Sequence, residues 1–334
     1  MTEDRRIQEA SLESLQQRVK VLFDLKKYDL LIDIAKMALG MDLNDPFTLY
    51  YLGRTHHRLE RYPEALEISG RLLAMDPNDP NYHSLRADVL ESLEKYEEAI
   101  AYYEKAIELN PQNERYYSCI AHNASLLAEP KFQEKVVPMM RKAIELGPND
   151  AINHGFFAIL LMNRGLYTEA RKEFEIAIEL APNDSINHSS YGNFLYYAGE
   201  LEEAKTYTMQ ALEINPMDPT AETNLSLLKQ AERDPQHYVA HRMETYSGII
   251  QFHPRHDEPY RQLAKLQLEI NEKAQARKVL RACAKARPDA VDEEFRQLMA
   301  KAGGAIPSKT RRIQMWAALM LLIVAAVIYF VFKR

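Results

Sequence analysis

Prolines recur through most of this chain at an almost fixed interval. Pro77, Pro111, Pro148, Pro182 and Pro216 stand in the segments AMDPND, ELNPQN, ELGPND, ELAPND and EINPMD, at steps of 34, 37, 34 and 34 residues. Pro254 and Pro288 extend the series by 38 and 34, and a step of 34 back from Pro80 reaches Pro46. A period of this length signals one supersecondary unit used many times, each too small to bury its apolar face alone, so that neighbours must stack. The period divides the chain into eight units: 12–45, 46–79, 80–113, 114–150, 151–184, 185–218, 219–256 and 257–290.

Within a unit, small and large residues hold fixed places. Ala65, Ala99, Ala170, Ala204 and Ala276 stand twelve before the series proline, and Ala106, Ala143, Ala177, Ala211 and Cys283 stand five before it. Gly53, Ala87, Ala124, Ala158, Gly192 and Ala264 recur twenty-four before, and a bulky residue recurs eight before (Tyr103, Met140, Phe174, Tyr246, Leu280). Small residues at constant places predict two helices in close approach. Tyr28, Tyr62, Tyr96 and Tyr167 fall in the predicted turn between them. The proline closes the second helix, because it cannot occupy a helix interior, and the neighbouring Asn or Asp can cap the next one.

On these residues the chain resembles a tetratricopeptide repeat protein. RYPEALEISGRLLAMDP, KYEEAIAYYEKAIELNP, LYTEARKEFEIAIELAP and ELEEAKTYTMQALEINP carry the resemblance, which extends over about 280 of the 334 residues. It implies an all-α fold: a right-handed superhelical solenoid of about eight helix-turn-helix repeats. Two units depart from the pattern. Unit 114–150 has three extra residues near Glu129-Pro130-Lys131-Phe132, and unit 219–256 has Gln230 and Arg242 at small positions, which suggests a hinge or a longer helix pair. Unit 12–45, with Val19 and Leu31 at small positions, suits a terminal capping repeat preceded by an N-terminal segment 1–11. Residues 291–302 suit a capping helix over the last unit.

In proteins of this family the first helix of each unit lines a concave groove, and the resemblance implies that the groove binds a protein or peptide partner. The candidate lining residues are Phe47, Tyr50, Arg54, His57, Arg58, Asn81, Ser84, Asp88 and Glu91, then Ser118, His122, Ile159, Met162, Asn193, Tyr196, Arg261 and Lys265. They read as an aromatic and basic start, an acidic stretch, an apolar middle and a basic end. Relatives that hold the acidic tails of chaperones use a clamp of lysines and asparagines. Tyr50 with Arg54 and Ser84 with Asp88 stand at the matching places, so that clamp is absent here. Asn193 and Asn224 resemble the asparagines of sugar-transferring relatives, but two do not make a ladder and no catalytic domain follows.

Composition narrows the chemistry. Only 11 of 334 residues are Gly, about half the usual share, which argues against glycine-rich phosphate loops and nucleotide enzymes. No GxSxG, Walker loop, paired CxxC or HExxH occurs, and Cys119 and Cys283 are too far apart for a finger site and suggest no disulfide framework. His237, His241 and Glu244 lack the zincin spacing and read as surface residues of a helix. We therefore expect no catalysis, metal, cofactor or small-molecule substrate. The net charge of −6 gives no general attraction for nucleic acid.

The two ends differ from the middle. Residues 1–17 are charged early and hold no apolar signal region. Residues 313–332, IQMWAALMLLIVAAVIYFVF, contain no charge and as a helix would reach about 30 Å, the thickness of a bilayer core. Lys309, Arg311, Arg312, Lys333 and Arg334 flank the stretch, and Trp316 and Tyr329 suit its interfaces. The expectation is a single-pass C-terminal anchor behind a basic linker, 303–312, with the repeats on the cytoplasmic face of a bacterial plasma membrane or a mitochondrial outer membrane. With those five basic residues set aside, residues 1–308 hold 37 basic against 48 acidic residues, a balance of −11. The reading is a membrane-tethered scaffold. The alternative is an assembly factor acting partly through the span, although Ala317, Ala318, Ala325 and Ala326 form no GxxxG.

Overall fold

The computed structural model describes residues 3–304, with side chains from residue 11 onward. The described residues form seventeen α-helices and one short 3-10 turn, Pro288–Ala290, with no strand among them. Contacts divide the chain after Asn153 into two units. The first holds α1 (Glu3–Asp24), α2 (Tyr28–Met41), α3 (Pro46–Arg58), α4 (Tyr62–Met75), α5 (Pro80–Ser92), α6 (Tyr96–Leu109), α7 (Glu114–Ser125), α8 (Pro130–Leu146) and the start of α9 (Ala151–Asn163). The second continues with α10 (Tyr167–Leu180), α11 (Ser185–Ala198), α12 (Leu201–Ile214), α13 (Pro219–Arg233), α14 (Pro235–Phe252), α15 (Glu258–Glu269), α16 (Lys273–Ala286) and α17 (Glu293–Lys301).

The series prolines mark the helix ends. From α4 onward, each second helix stops two residues before one of them, at Met75, Leu109, Leu146, Leu180, Ile214, Phe252 and Ala286. Except at α15, where Asp257 makes no such bond, the next first helix is opened by an Asp or Asn whose side chain accepts backbone N–H groups of its first turn. Asp45 takes Thr48 N at 3.0 Å, Asp79 takes Asn81 N at 2.8 Å, Asp184 takes Ile186 N at 2.8 Å and Asp218 takes Ala221 N at 2.9 Å. A second periodic bond was not visible in the proline series itself. The residue six after the proline turns back and bonds the proline carbonyl: His83 to Pro77, Tyr117 to Pro111, His188 to Pro182 and Tyr260 to Pro254, at 2.7–3.2 Å. His83 and His188 thus have a structural task, as do Tyr117 and Tyr260, satisfying a carbonyl that the helix end leaves open.

Between the helices of a pair the chain makes a Schellman turn, in which the N–H just before the second helix bonds a carbonyl five residues back. The bonds Lys27 to Leu22, Arg61 to His56, Lys95 to Leu90, Leu166 to Leu161 and Glu200 to Leu195 are all 2.9 Å. The turn needs one left-handed residue. Gly165 and Gly199 supply it, but Lys26, Glu60, Glu94 and Asn271 also adopt positive φ, between 56° and 64°. A side chain costs about 1 kcal/mol there. Glu94→Gly is therefore expected to raise stability by about 1 kcal/mol in urea denaturation, and a neutral or destabilising result would remove the strain argument.

The small positions are where the helices meet. The ten residues twelve and five before the prolines are 1% exposed or less. At Gly192 a Cβ would lie 2.8 Å from Thr208 Oγ1 and 3.2 Å from the Ala204 carbonyl, so α11 and α12 touch backbone to side chain. The three extra residues of 114–150 are closed by Gln133, whose amide lies among the carbonyls of Ala124, Ser125 and Leu127.

Three expectations need correction or extension. Residues 3–11 are not a separate segment, since α1 begins at Glu3 and continues through them. Unit 219–256 is a pair of longer helices, of 15 and 18 residues, and Arg242 is the reason the pattern breaks. Buried at 8% exposure, it reaches out of α14 to the open end of α11, donating to the carbonyls of Tyr197 (2.9 Å) and Ala198 (2.8 Å). Tyr238 and Tyr246 donate beside it to the carbonyls of Tyr196 and Tyr197, at 2.6 and 2.7 Å. The 253–258 segment then returns to the turn before α10, with His256 Nδ1 on the Arg164 carbonyl at 2.6 Å and Glu258 accepting from Thr168 N and Oγ1. These contacts join residues about ninety apart, beyond the reach of a nearest-neighbour stack. No helix among the described residues is long and apolar enough to cross a membrane. The expected span 313–332, with Lys309, Arg311, Arg312, Trp316, Tyr329, Lys333 and Arg334, lies outside the described residues.

Candidate functional site

In the first unit the first helices α3, α5 and α7 stand side by side and enclose a cleft of about 370 Å³. Eight expected groove residues line it: Tyr50, Arg54, His57 and Arg58 from α3, and Asn81, Ser84, Asp88 and Glu91 from α5. The period explains the meeting, because residues 34 apart fall at one height on neighbouring first helices. The same period names a residue that the sequence reading missed. One step from Phe47 reaches Asn81, and the next reaches Arg115, which lines the cleft with Asn113, Tyr116 and Cys119. Phe47 itself does not line it and packs against Tyr51 with the rings tilted, centroids 4.9 Å apart. Ser118 and His122 follow along α7, the first bonded to the Arg115 carbonyl and the second 3.8 Å from Glu91.

The charges of the cleft are arranged unequally. Asp88 is held by Arg115 at 2.7 Å and by the Tyr103 hydroxyl at 2.5 Å. Glu91 accepts from Tyr103 and from Asn123 Nδ2, both at 3.0 Å. The acidic side is thus already engaged by the protein. Arg54 and Arg58 are different. The Arg54 guanidinium lies 4.4 Å from the Phe23 ring and 5.6 Å from that of Tyr50, and neither arginine has an acidic partner among the described residues. Aromatic faces fix the first arginine and leave its donors for a guest. His57, on Ser92 Oγ at 2.8 Å, has its pKa lowered by burial. Burial also pushes the Cys119 thiol up to about 11, so it is protonated near neutrality and a poor nucleophile.

The expected continuation of the groove is different in the second unit. Met162 and Asn193 line a smaller cavity of about 300 Å³ with Tyr167, Tyr197, Thr245 and Ile249, one wall of which is α14. Ile159 is half-buried on α9, and Tyr196 is 3% exposed beneath Tyr238, with ring centroids 5.0 Å apart. Asn193 bonds Asn224 at 2.9 Å, and Asn224 is itself fully buried on the Ser189 carbonyl. The basic end is not a free cationic surface. Arg261 is 6% exposed and held by Asp257, Asp292 and Glu294 at 2.7–2.9 Å, while Lys265 pairs with Glu294 at 2.7 Å. Both cations secure α17, Arg261 from within the core and half-exposed Lys265 from its edge. Sequence spacing placed them on a first helix correctly but could not show that acids beyond residue 290 return to them. Among the described residues no group of three or more His, Cys, Asp and Glu side chains converges as a metal site.

Residues 80–113 match the family model of the tetratricopeptide repeat. Among solved structures, Pseudomonas aeruginosa pilF is similar at 15% identity, covering 66% of this chain and 98% of its own, with a TM-score of 0.57. YrrB, described as a tetratricopeptide repeat protein with an unusual peptide-binding site, is 20% identical over 57% of this chain and 97% of its own, at a TM-score of 0.46. The Cut9–Hcn1 hetero-tetramer of the APC/C matches 89% of this chain and 59% of that one, at 15% identity and a TM-score of 0.48. No curated protein matches the sequence. At these identities the likeness to pilF is one of fold: an all-helical arrangement of stacked pairs, with a tetratricopeptide repeat at 80–113.

Proposed function

We propose that this chain is a non-catalytic scaffold held at a membrane, whose α3–α5–α7 cleft receives a carboxylate-bearing segment of a protein partner. The observation that carries the reading is the pair Arg54 and Arg58, cationic, without an acidic partner among the described residues and lining a cleft whose own carboxylates are already bound. Half-buried Tyr50 offers a face for an apolar side chain of the same segment, and Asn81 offers an amide at the rim. A short segment so held would combine a charge-assisted contact with aromatic burial. Tethering is argued from the uncharged stretch 313–332 and its basic flanks, which favour the repeats on the cytoplasmic side. Fixing the scaffold there raises the partner's effective concentration at the membrane.

The test is a photo-crosslinking residue at Asn81 in intact membranes, followed by identification of the attached protein. Arg54→Ala with Arg58→Ala is expected to weaken capture about thirtyfold, at about 1 kcal/mol for each lost contact, with thermal unfolding unchanged. Capture at full strength by the double variant would sink the cleft reading.

A further inference from the structure

The helix α16 has a charge pattern unlike the rest of the chain. Its fourteen residues, KAQARKVLRACAKA, hold five Lys and Arg and no acid, within residues 1–308 whose balance is −11. One face is buried: Ala276, Leu280, Cys283 and Ala284 pack under Phe295, Leu298 and Met299 of α17. At about 100° per residue, Arg277, Lys278, Arg281 and Lys285 fall within an arc of about 100° that adjoins the buried one. Lys278, Arg281 and Lys285 are exposed. None of the four has an acidic partner among the described residues, and the nearby acids are bound elsewhere: Asp289 by Arg287, Glu293 by Arg296, and Asp292 and Glu294 by Arg261. Arg277 donates to the Gly303 carbonyl, at 3.3 Å.

We propose that this outer face of α16 docks on the headgroups of an anionic membrane, a reading that rests on 313–332 being a membrane span. Position supports it. Gly304 lies against Arg277, close enough that an added Cβ would be 3.1 Å from its Cγ. The eight residues 305–312 can bridge no more than about 28 Å from there to the apolar stretch, and α16 is itself about 21 Å long. With 313–332 in the bilayer, the cationic face is held within a short tether of the headgroups. The chemistry of the face favours lipid over a protein. The four cations are spread along a helix side without an aromatic anchor, and α16 lines none of the clefts described above. A protein interface needs such an anchor in a pocket, whereas a diffuse negative surface needs only charges that approach it within a Debye length, about 8 Å at physiological salt.

The experiment reconstitutes the full chain into vesicles of phosphatidylcholine alone, or with phosphatidylserine added, and follows lysine acylation by mass spectrometry. Lys278 and Lys285 are expected to react about fivefold more slowly on the anionic vesicles, the effect of roughly one favourable charge contact each. Exposed Lys229 on α13 serves as the reference, raised salt should restore the rates, and Arg277→Gln with Arg281→Gln should reduce the protection. Equal rates on the two vesicle types overturn the docking, as does protection that appears only when a cell extract supplies an acidic protein. Retention of the chain by neutral vesicles through an alkaline wash reports the span separately. Release in that wash overturns the membrane reading, and the positional argument for α16 falls with it.

Discussion

Replacing Arg261 with methionine is expected to release α17 from the end of the second unit, at a cost of about 3 kcal/mol. The methionine keeps the length of the stem, so the packing of α15 survives while the guanidinium is lost. Four acceptors then lose a donor: Asp257, Asp292, Glu294 and the Ala290 carbonyl, the last at 2.8 Å. Because Asp292 and Glu294 are about half exposed, their charges can turn to water, which holds the cost near the lower end for a broken buried pair. Hydrogen exchange gives the local readout. The amides of Glu293–Lys301 should lose protection well ahead of those in α11 and α12, and uniform exchange in wild type and variant would refute the role of Arg261. The pH dependence has a definite sign. The hydrogen bond from Arg261 lowers the pKa of Asp292, and that from Lys265, followed by the charges of Lys265 and Arg261, lowers that of Glu294. Acids with depressed folded pKa values stabilise above their unfolded values and lose that contribution as pH falls through the folded ones. Docking of α17 should therefore weaken below about pH 4, and the Arg261→Met chain should lose the part of this acid limb that comes from Asp292, while Lys265 keeps the part from Glu294.

Arg261 also shows where reading the sequence stops. The proline series, the small positions and the Asx caps are local features, each acting within one unit or on the next, and a period of 34 residues exposes them directly. The eight cleft residues on α3 and α5 follow from the same register, and Arg115 would have followed from one more step of it. Contacts that leave the period are not encoded in it. The acids that neutralise Arg261 and Lys265 lie beyond the last repeat, and the return of 253–258 to 164–168 spans more than two periods. Gln230 and Arg242 were visible as violations of the pattern. The partners of Arg242 were not, since a backbone carbonyl at a helix end has no signature in sequence.

Arg242→Ala should be comparably damaging, by about 3 kcal/mol, and damaging to a different region. The first helix α11 ends at Ala198 with its last carbonyls open, and Gly199, left-handed at φ 95°, turns the chain away. Arg242 supplies two charge-assisted donors to those carbonyls and favourable charge at the negative end of the helix. Its guanidinium leaves no room for a side chain at Gly199, where a Cβ would sit 2.6 Å from both terminal nitrogens. With alanine in place, Tyr238 and Tyr246 can satisfy only the carbonyls of Tyr196 and Tyr197, and Ala198 loses the donor that Arg242 gives it. The loosened element is α14, so the first consequence should be faster exchange along Pro235–Phe252, followed by loss of the contact between Glu258 and Thr168 that α14 carries back. Binding in the α3–α5–α7 cleft, built from residues 50–119, should be unchanged. The outcome that would sink this account is a variant whose α14 amides exchange as slowly as those of the parent, because the helix would then be held by its apolar contacts alone.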